Sequence, residues 1–186
     1  MRRNGKYTNA SKILKLNSKP MGKSKEIFME QREQEEPARI DWQEQLMIEH
    51  YEVINKDFHK NKCIFVYGTL QKDEGNHHYI LDSKFISKAT TKHKYLLTAS
   101  GIPFVDKREA LTTVKGEVYQ LSSVGELANV DRLESHPIWY KREIITVIDS
   151  NGNELEAWIY FNKDRGKHTI EDGDYIKYYK SLKKNW

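Results

Sequence analysis

The stretch Cys63–Leu70 constrains the fold of this chain more than any other. It opens with a short apolar run, Cys63–Val66, rich in β-branched and aromatic residues, which predicts a buried β-strand. The run stops at Tyr67-Gly68-Thr69, where a glycine breaks the pattern. A tight glycine turn at a strand end leaves consecutive backbone N–H groups outside the sheet ladder. We therefore expect the turn to form a cradle for an anion or a carbonyl group.

The composition limits what kind of protein carries this cradle. At 186 residues the chain has room for one domain with a real core and an extension. No apolar run approaches the ~20 residues of a membrane helix, and Ile13–Leu16 is too short for the apolar segment of a secretory signal. The single cysteine, Cys63, excludes an internal disulfide and fits a reducing compartment. We expect a soluble, cytoplasmic protein without membrane contact.

Residues 1–25 are predicted to form a basic, flexible arm. They contain no acidic residue and the following basic ones: Arg2, Arg3, Lys6, Lys12, Lys15, Lys19, Lys23 and Lys25. Such a segment buries too little apolar surface to offset its ordering entropy. It is either a solvated tail or an arm that contacts nucleic acid, another polyanion or a protein partner, since clustered basic residues release counterions from phosphates. A mitochondrial presequence is also basic, but it is typically rich in arginine, whereas lysine dominates here.

Residues 26–62 are predicted to form an acidic and helical extension. The glutamates of its first part are Glu26, Glu30, Glu33, Glu35 and Glu36, and Pro37 follows them. Asp41–Ile54 then has the pattern of a helix. Asp41 is a plausible N-cap, and Glu44, three residues further on, nearly completes a capping box.

An apolar stripe on this helix predicts that it docks on another surface. The stripe consists of Trp42, Leu46, Glu49 and Val53, flanked by Met47, Tyr51 and Ile54. Packing against the domain is favoured, because single amphipathic helices usually pack in that way, and partner binding stays open. Residues 55–62 are polar and predict a break, so we place the start of the domain at Cys63 and its extent at 63–186.

Strands dominate the pattern after Cys63. They are predicted at Phe85–Thr98 (one or two strands), Gly101–Val105, Val114–Leu121, Glu143–Ile148 and Leu155–Phe161. Short helices are predicted from Asn76 with Tyr79, Ile80 and Leu81 facing inward, from the caps Ser122 and Ser123 to Pro137, and after Gly173. Closure of the strands into a twisted barrel would remove their exposed edges.

A second chemical feature follows the apolar residue Leu133 at the end of the middle helix. Asp131 and Glu134 are three residues apart, so both can lie near one helix face. Partial burial and the negative end of the helix dipole would both raise the pKa of Glu134. A carboxyl of that kind can shuttle protons near neutral pH, although a glutamate near a helix end is usually solvated or salt-bridged.

A series of motifs then gives the chain a resemblance. In order they are Val66-Tyr67-Gly68-Thr69-Leu70, Gly75-Asn76-His77, Gly116-Glu117-Val118-Tyr119, Asp131–Pro137 with Tyr140 and Arg142, Trp158-Ile159-Tyr160, and Gly173-Asp174-Tyr175. Their order and spacing resemble those of the gamma-glutamylcyclotransferase-like superfamily, in particular its AIG2-like and gamma-glutamylamine cyclotransferase branch. The resemblance covers about Ile64 to Tyr179.

The resemblance implies a fold and a reaction. The fold is α+β, a small mixed β-barrel with packed helices, here with an N-terminal extension. In the reaction, the α-amine of a gamma-glutamyl amine or amide attacks its own γ-carbonyl, and 5-oxoproline and the free amine are released. Glu134 has the position of the family's catalytic acid and base. The implied substrate-binding residues are Tyr67, Gly68, Thr69, Leu70 and Tyr140, with Arg142 as a supporting residue.

Several residues have a plainer interpretation. Tyr67 is either a wall or hydrogen-bond donor of the site or an aromatic that packs into the barrel, and Tyr119 belongs to the core. We expect no cofactor and no metal, since the histidines lack ligand spacing. Cys63 is interpreted as a small buried hydrophobic residue.

Two other functions stay open at this point. The domain could be a non-catalytic binding or regulatory module that kept the fold, with the basic arm contacting nucleic acid or a protein. It could also act on a gamma-glutamyl group carried by a larger molecule, with the extension shaping the pocket.

Overall fold

A computed structural model describes residues 42–183, and its strands form a closed barrel beside a small second sheet. In chain order the elements are α1 Trp42–Lys60, β1 Cys63–Val66, a 3-10 helix His77–Ile80, β2 Lys84–Thr91, β3 Leu96–Ser100, β4 Ile102–Asp106, β5 Lys115–Gln120, α2 Val124–Leu133, β6 Lys141–Asp149, β7 Glu154–Phe161, β8 His168–Thr169 and α3 Tyr175–Lys183. The predicted basic arm and the acidic stretch before Asp41 lie outside the described residues. In the described part, no helix combines the length and apolar character needed to cross a membrane.

The barrel has the strand order β1-β5-β2-β6-β7. Its neighbours pair antiparallel, except that β7 closes the barrel by a parallel bridge to β1 between Trp158 and Ile64. The β6–β7 hairpin turns at Gly152, whose φ of 88° lies in the left-handed region that glycine tolerates. The predicted α+β fold with a small mixed barrel and packed helices is confirmed.

The second sheet has the order β4-β3-β8 and brings β4 to the edge. Pro103 lies on this edge strand, where its missing N–H removes no ladder hydrogen bond on the open side. The predicted region Phe85–Thr98 therefore contains two strands, and they belong to different sheets.

Side chains of β1 alternate between two buried clusters, because successive residues of a strand point to opposite faces. Phe65 belongs to the cluster that includes the barrel residues Val118 and Ile159. Ile64 and Val66 belong to the other cluster, between the barrel and its helices. This second cluster also contains Ile54, Phe58, Leu70, Ile80, Leu127, Val130, Tyr140 and Tyr160. The strand that leads into the glycine turn is thus held on both faces.

Two compact units divide the chain, Met1–Met47 and Ile48–Trp186, and only Trp42–Met47 of the first lies within the described residues. Helix α1 continues to Lys60, so the predicted break at 55–62 is wrong. The physical reason is that Ile54 and Phe58, one helical turn apart, are only 3% and 5% exposed and bury the end of the helix in the second cluster. The domain limits predicted at 25–26 and 62–63 stay predictions.

The predicted inward stripe of α1 is also corrected. Trp42 is 68% exposed and Val53 60%, and Leu46 is exposed as well. The helix instead buries the neighbouring face, which carries Ile54 and Phe58. The sequence pattern placed Ile54 beside the stripe and Phe58 in the break after the helix. Leu81, predicted to face inward, is exposed, because the helix before it is a single 3-10 turn that buries Ile80 alone.

Candidate active site

The turn after β1 is closed by its own carbonyl groups. The carbonyl of Gly68 accepts a hydrogen bond from the N–H of Gln71 at 3.1 Å, and that of Thr69 accepts one from the N–H of Asn76 at 2.9 Å. The Asn76 side chain donates to the Thr69 hydroxyl at 2.8 Å. Within residues 42–183, no acceptor is bonded to the N–H groups of Gly68, Thr69 or Leu70. The turn therefore has free donors, as a cradle requires.

Gly68 lies against the edge strand of the second sheet. A Cβ added at Gly68 would lie 2.9 Å from Cγ of Pro103, closer than real Cβ contacts. The glycine therefore permits the turn to approach β4, and this close approach forms one end of the cavity described below.

Glu134 is placed by the way in which α2 ends. Ser123 caps the start of this helix, where its hydroxyl accepts from the N–H of Glu126. At the other end, Ser135 has a φ of 51°, and the N–H groups of Ser135 and His136 bond to the carbonyls of Arg132 and Asp131. This Schellman-type arrangement makes Glu134 the C-cap. The helix thus ends at Leu133, four residues before Pro137, which was the predicted end.

The environment of Glu134 moves the pKa of its carboxyl toward neutral pH. Burial, and secondly the negative charge of Asp131, raise the pKa of the Glu134 carboxyl from its ordinary 4.5 to about 7. In the described part of the chain, no group hydrogen-bonds this carboxyl. The carboxyl therefore remains available for a hydrogen bond to a ligand.

One cavity of about 170 Å³ connects the turn and this carboxyl. Its lining residues are Phe65, Val66, Tyr67, Gly68, Thr69, Leu70, Asn76, Ile102, Pro103, Leu133, Glu134, Trp139, Tyr140 and Tyr160. The walls are largely aromatic and aliphatic, and polar groups are concentrated at the turn and at Glu134. That distribution suits a small ligand with a few fixed polar contacts.

The tyrosines of the cavity use their hydroxyls to hold the walls together. Tyr67 donates to the carbonyl of Tyr160 at 2.6 Å, and Tyr140 donates to the carbonyl of Pro103 at 2.9 Å. Burial first, and then nearby negative charge that includes Glu134, raise the pKa of both phenols well above the ordinary value of 10. Both side chains are therefore neutral at physiological pH. Tyr67 belongs to a core cluster and also lines the cavity, so both of its interpretations describe the same position.

Behind the cavity wall lies a buried ion pair. The guanidinium of Arg142 donates to Asp131 through Nε at 2.9 Å and through Nη2 at 3.2 Å. The Tyr160 hydroxyl also donates to Asp131, at 2.6 Å. Arg142 stacks over the ring of Trp158, with 4.4 Å between the guanidinium carbon and the ring centroid. Arg142 does not line the cavity and instead holds Asp131, the residue whose charge acts on Glu134.

The structure brings most of the predicted residues together. Tyr67, Gly68, Thr69, Leu70, Glu134 and Tyr140 all line the cavity. Eight other lining residues were not predicted as site residues, and Pro103, Trp139 and Asn76 are among them. Of these three, only Asn76 had a local signal, since it lies in the Gly75-Asn76-His77 motif, whereas Pro103 comes from a different sheet and has none.

A wider cleft of about 800 Å³ lies elsewhere on the barrel. Its ionic lining consists of Lys72, Lys88, Lys115 and Lys180 and of Asp73, Glu117, Asp149 and Asp174. These charges balance, and the Glu134 carboxyl does not line this cleft. The smaller cavity is therefore the better candidate for chemistry.

Comparison with known proteins points to one family. The family described as "Gamma-glutamyl cyclotransferase, AIG2-like" matches residues 64–177, which is more than half of the chain. A Methanocaldococcus jannaschii protein, provisionally named a gamma-glutamylcyclotransferase, is 40% identical over 116 residues, which are 62% of this chain and 96% of that protein. Gamma-glutamylaminecyclotransferase C of Danio rerio is 36% identical over 111 residues, 52% of this chain and 72% of the relative.

A solved structure agrees at the level of the fold. The crystal structure of an AIG2-like protein from Mus musculus superposes with a TM-score of 0.54 and 24% identity, covering 61% of this chain and 87% of the mouse chain. Residues 64–177, which the family model matches, contain the turn after β1, the lining residues of the cavity and the carboxyl at the end of α2. The chain belongs to the AIG2-like gamma-glutamyl cyclotransferase family.

Proposed function

We propose that the chain is a cyclotransferase that releases 5-oxoproline from a gamma-glutamyl amine or amide. One observation carries the proposal: a turn with free N–H donors and a carboxyl with a pKa of about 7 line the same small cavity. The relatives named for gamma-glutamyl substrates support the class of substrate.

The turn binds the polar end of the glutamyl group. Its N–H groups at Gly68, Thr69 and Leu70 bond the α-carboxylate or the γ-carbonyl, and they stabilise the negative charge that develops on the carbonyl oxygen during attack. The cavity of about 170 Å³ is smaller than the roughly 300–1,000 Å³ of drug-sized pockets. That size favours one glutamyl group inside and a leaving amine outside, past the exposed rim residues Ile102 and Trp139.

Glu134 is the catalytic residue and moves the proton. As a carboxylate it takes a proton from the α-ammonium group, and the free amine then attacks the γ-carbonyl carbon to form the ring C–N bond. The bond to the leaving nitrogen breaks as Glu134 returns this proton to that nitrogen, and the ring nitrogen loses its second proton through the same carboxylate to the released amine, which leaves as an ammonium ion. No water is consumed, and 5-oxoproline and the amine together contain all atoms of the substrate.

Ring closure removes much of the entropic barrier. Nucleophile and electrophile belong to one molecule, and well-oriented intramolecular reactions reach effective molarities on the order of 10⁵–10⁸ M. The protein must therefore fold the substrate chain and place the proton carrier. The neutral walls of Tyr67 and Tyr140 exclude water from the carboxyl without adding charge.

Replacement of Glu134 tests the proposal. Wild-type protein is incubated with a panel of gamma-glutamyl amines, amides and peptides, and 5-oxoproline is measured. Glu134→Gln keeps the shape of the side chain but cannot accept the proton, so we expect kcat to fall by about 10²–10⁴-fold. In wild type, kcat/KM should rise with pH through a midpoint near 7.

The exposed glutamate Glu171 supplies the matched control. Glu171→Gln should keep wild-type turnover, because this residue does not line the cavity. Equal turnover by Glu134→Gln and Glu171→Gln would exclude Glu134 as the proton carrier. A wild-type protein inactive on the whole panel would contradict the proposed function.

A further inference from the structure

We propose that Asp57, which lies on helix α1 before the matched family region, is a positioning residue of the active site. It acts through the Arg142 guanidinium and thereby on the Asp131 carboxylate behind the cavity wall. Oδ2 of Asp57 accepts a hydrogen bond from Nη2 of Arg142 at 2.9 Å. The role in catalysis rests on the function proposed above, whereas the electrostatic effect on Glu134 does not.

The contact places α1 in a row of ion pairs, Asp57–Arg142–Asp131, which we call the ionic relay. Its inner end, Asp131, lies behind the cavity wall. The Arg142 side chain is 2% exposed and that of Asp131 is 3% exposed, whereas Asp57 is 31% exposed at the outer end. Arg142 uses the same nitrogen, Nη2, for both carboxylates. Asp57 therefore determines in part how strongly the guanidinium is drawn to Asp131.

Burial around the relay keeps Asp57 in place. Phe58, the next residue, and Ile54, three residues before Asp57, are buried in the same cluster as Tyr140 and Tyr160. The Arg142 guanidinium is held from its other face by the Trp158 ring. Without Asp57, Asp131 is therefore the one carboxylate within residues 42–183 that pairs with this guanidinium.

Electrostatics gives this geometry a measurable consequence. The charged and titratable groups around Glu134 are Asp131 on α2, Arg142 on β6, His136 and Tyr140 in the loop between them, Tyr67 after β1, Tyr160 on β7 and, at one remove, Asp57 on α1. The two negative charges of Asp57 and Asp131 together exceed the single positive charge of Arg142. Without Asp57 the group becomes neutral, so the negative potential that adds to burial in raising the pKa of Glu134 is weaker.

The sign of the effect follows directly. A less negative surrounding stabilises the carboxylate form of Glu134, so its pKa falls in Asp57→Asn. A loss of packing alone would lower the melting temperature without moving this titration. The electrostatic role of Asp57 and a purely packing role can therefore be told apart by experiment.

A substrate-free measurement tests the inference first. The protein carries ¹³C-labelled glutamate, and the carboxyl resonance of Glu134, assigned by its loss in Glu134→Gln, is followed as a function of pH. We expect a midpoint near 7 in wild type and a decrease of about half a pH unit in Asp57→Asn. The acid limb of kcat/KM should move by the same amount, with a smaller change in KM than in kcat.

Two further variants keep the test falsifiable. Asp57→Glu retains the charge and should retain the wild-type midpoint, and Glu52→Gln removes an exposed charge from the same helix and should leave both midpoint and kinetics unchanged. An unmoved midpoint in Asp57→Asn, or equal shifts in Asp57→Asn and Asp57→Glu, would overturn the role of the Asp57 charge. Because the titration needs no substrate, these results are distinguishable from a failure of the proposed reaction.

Discussion

Gly68 lies so close to Pro103 that a Cβ at Gly68 would be 2.9 Å from Cγ of Pro103. This close approach joins the turn after β1 to the edge of the second sheet. Both residues line the candidate active-site cavity, and they belong to segments far apart in sequence. The cavity therefore depends on how closely two sheets approach each other.

Gly68→Ala should damage both activity and stability. The added methyl must displace the turn or Pro103, and overpacking of this kind typically costs about 1–3 kcal/mol. Because a displacement of about 1 Å in an active site can reduce the rate on the order of 10²-fold, we expect a marked loss of kcat/KM. The measurements are 5-oxoproline release and urea unfolding.

Gly75→Ala is the matched control in the same loop. No heavy atom lies within 4 Å of a Cβ added there, so this variant should retain wild-type activity and stability. A Gly68→Ala variant that behaves like Gly75→Ala would show that the close approach to Pro103 is not required.

Glu134→Gln should be more stable than wild type at high pH. A carboxyl whose folded-state pKa is raised favours folding when protonated, and the stability it contributes falls as pH rises from its unfolded value of 4.5 to its folded value of about 7. The glutamine cannot ionise. We expect its advantage to be absent below pH 4.5 and to reach as much as ~3 kcal/mol above pH 7. Denaturant unfolding of both proteins from pH 4 to pH 8 measures the difference, and a constant difference would contradict the burial of this carboxyl.

Tyr160→Phe should weaken the wall behind Glu134. The change removes the 2.6 Å hydrogen bond to the buried Asp131 carboxylate. Hydrogen bonds to charged groups contribute about 1.5–3 kcal/mol, so we expect a loss of that size in the free energy of unfolding. Tyr51→Phe, at an exposed position of α1, is the control and should change stability by less than ~0.5 kcal/mol. Equal stabilities of the two variants would remove Tyr160 from the buried network.

Phe58→Ala tests whether the end of α1 belongs to the barrel unit. Phe58 is buried in the cluster that also contains Leu70 and Tyr160. Truncation of a buried phenylalanine typically costs about 3–5 kcal/mol. Val53→Ala, at an exposed position of the same helix, should change stability by only about 0.5 kcal/mol. Comparable thermal unfolding of the two variants would show that α1 does not stabilise the unit.

Local pattern was sufficient for most elements from Cys63 onward. The strands at β5, β6 and β7 alternate or turn at glycine, and both signals depend only on neighbouring residues. The end of α1 was missed for the opposite reason. Polar residues surround Phe58 in the sequence, and only contact with the second cluster makes this position a core position.

By itself, the sequence determined the apolar strand, the glycine turn that it leads to and the glutamate at the end of α2, because each depends on a few adjacent side chains. Only the tertiary structure decided that Pro103 would close the cavity and that Asp57 would reach Arg142, because these contacts join residues dozens of positions apart. The raised pKa of Glu134 was likewise decided only by the tertiary structure, since burial by other elements is the largest cause of the rise.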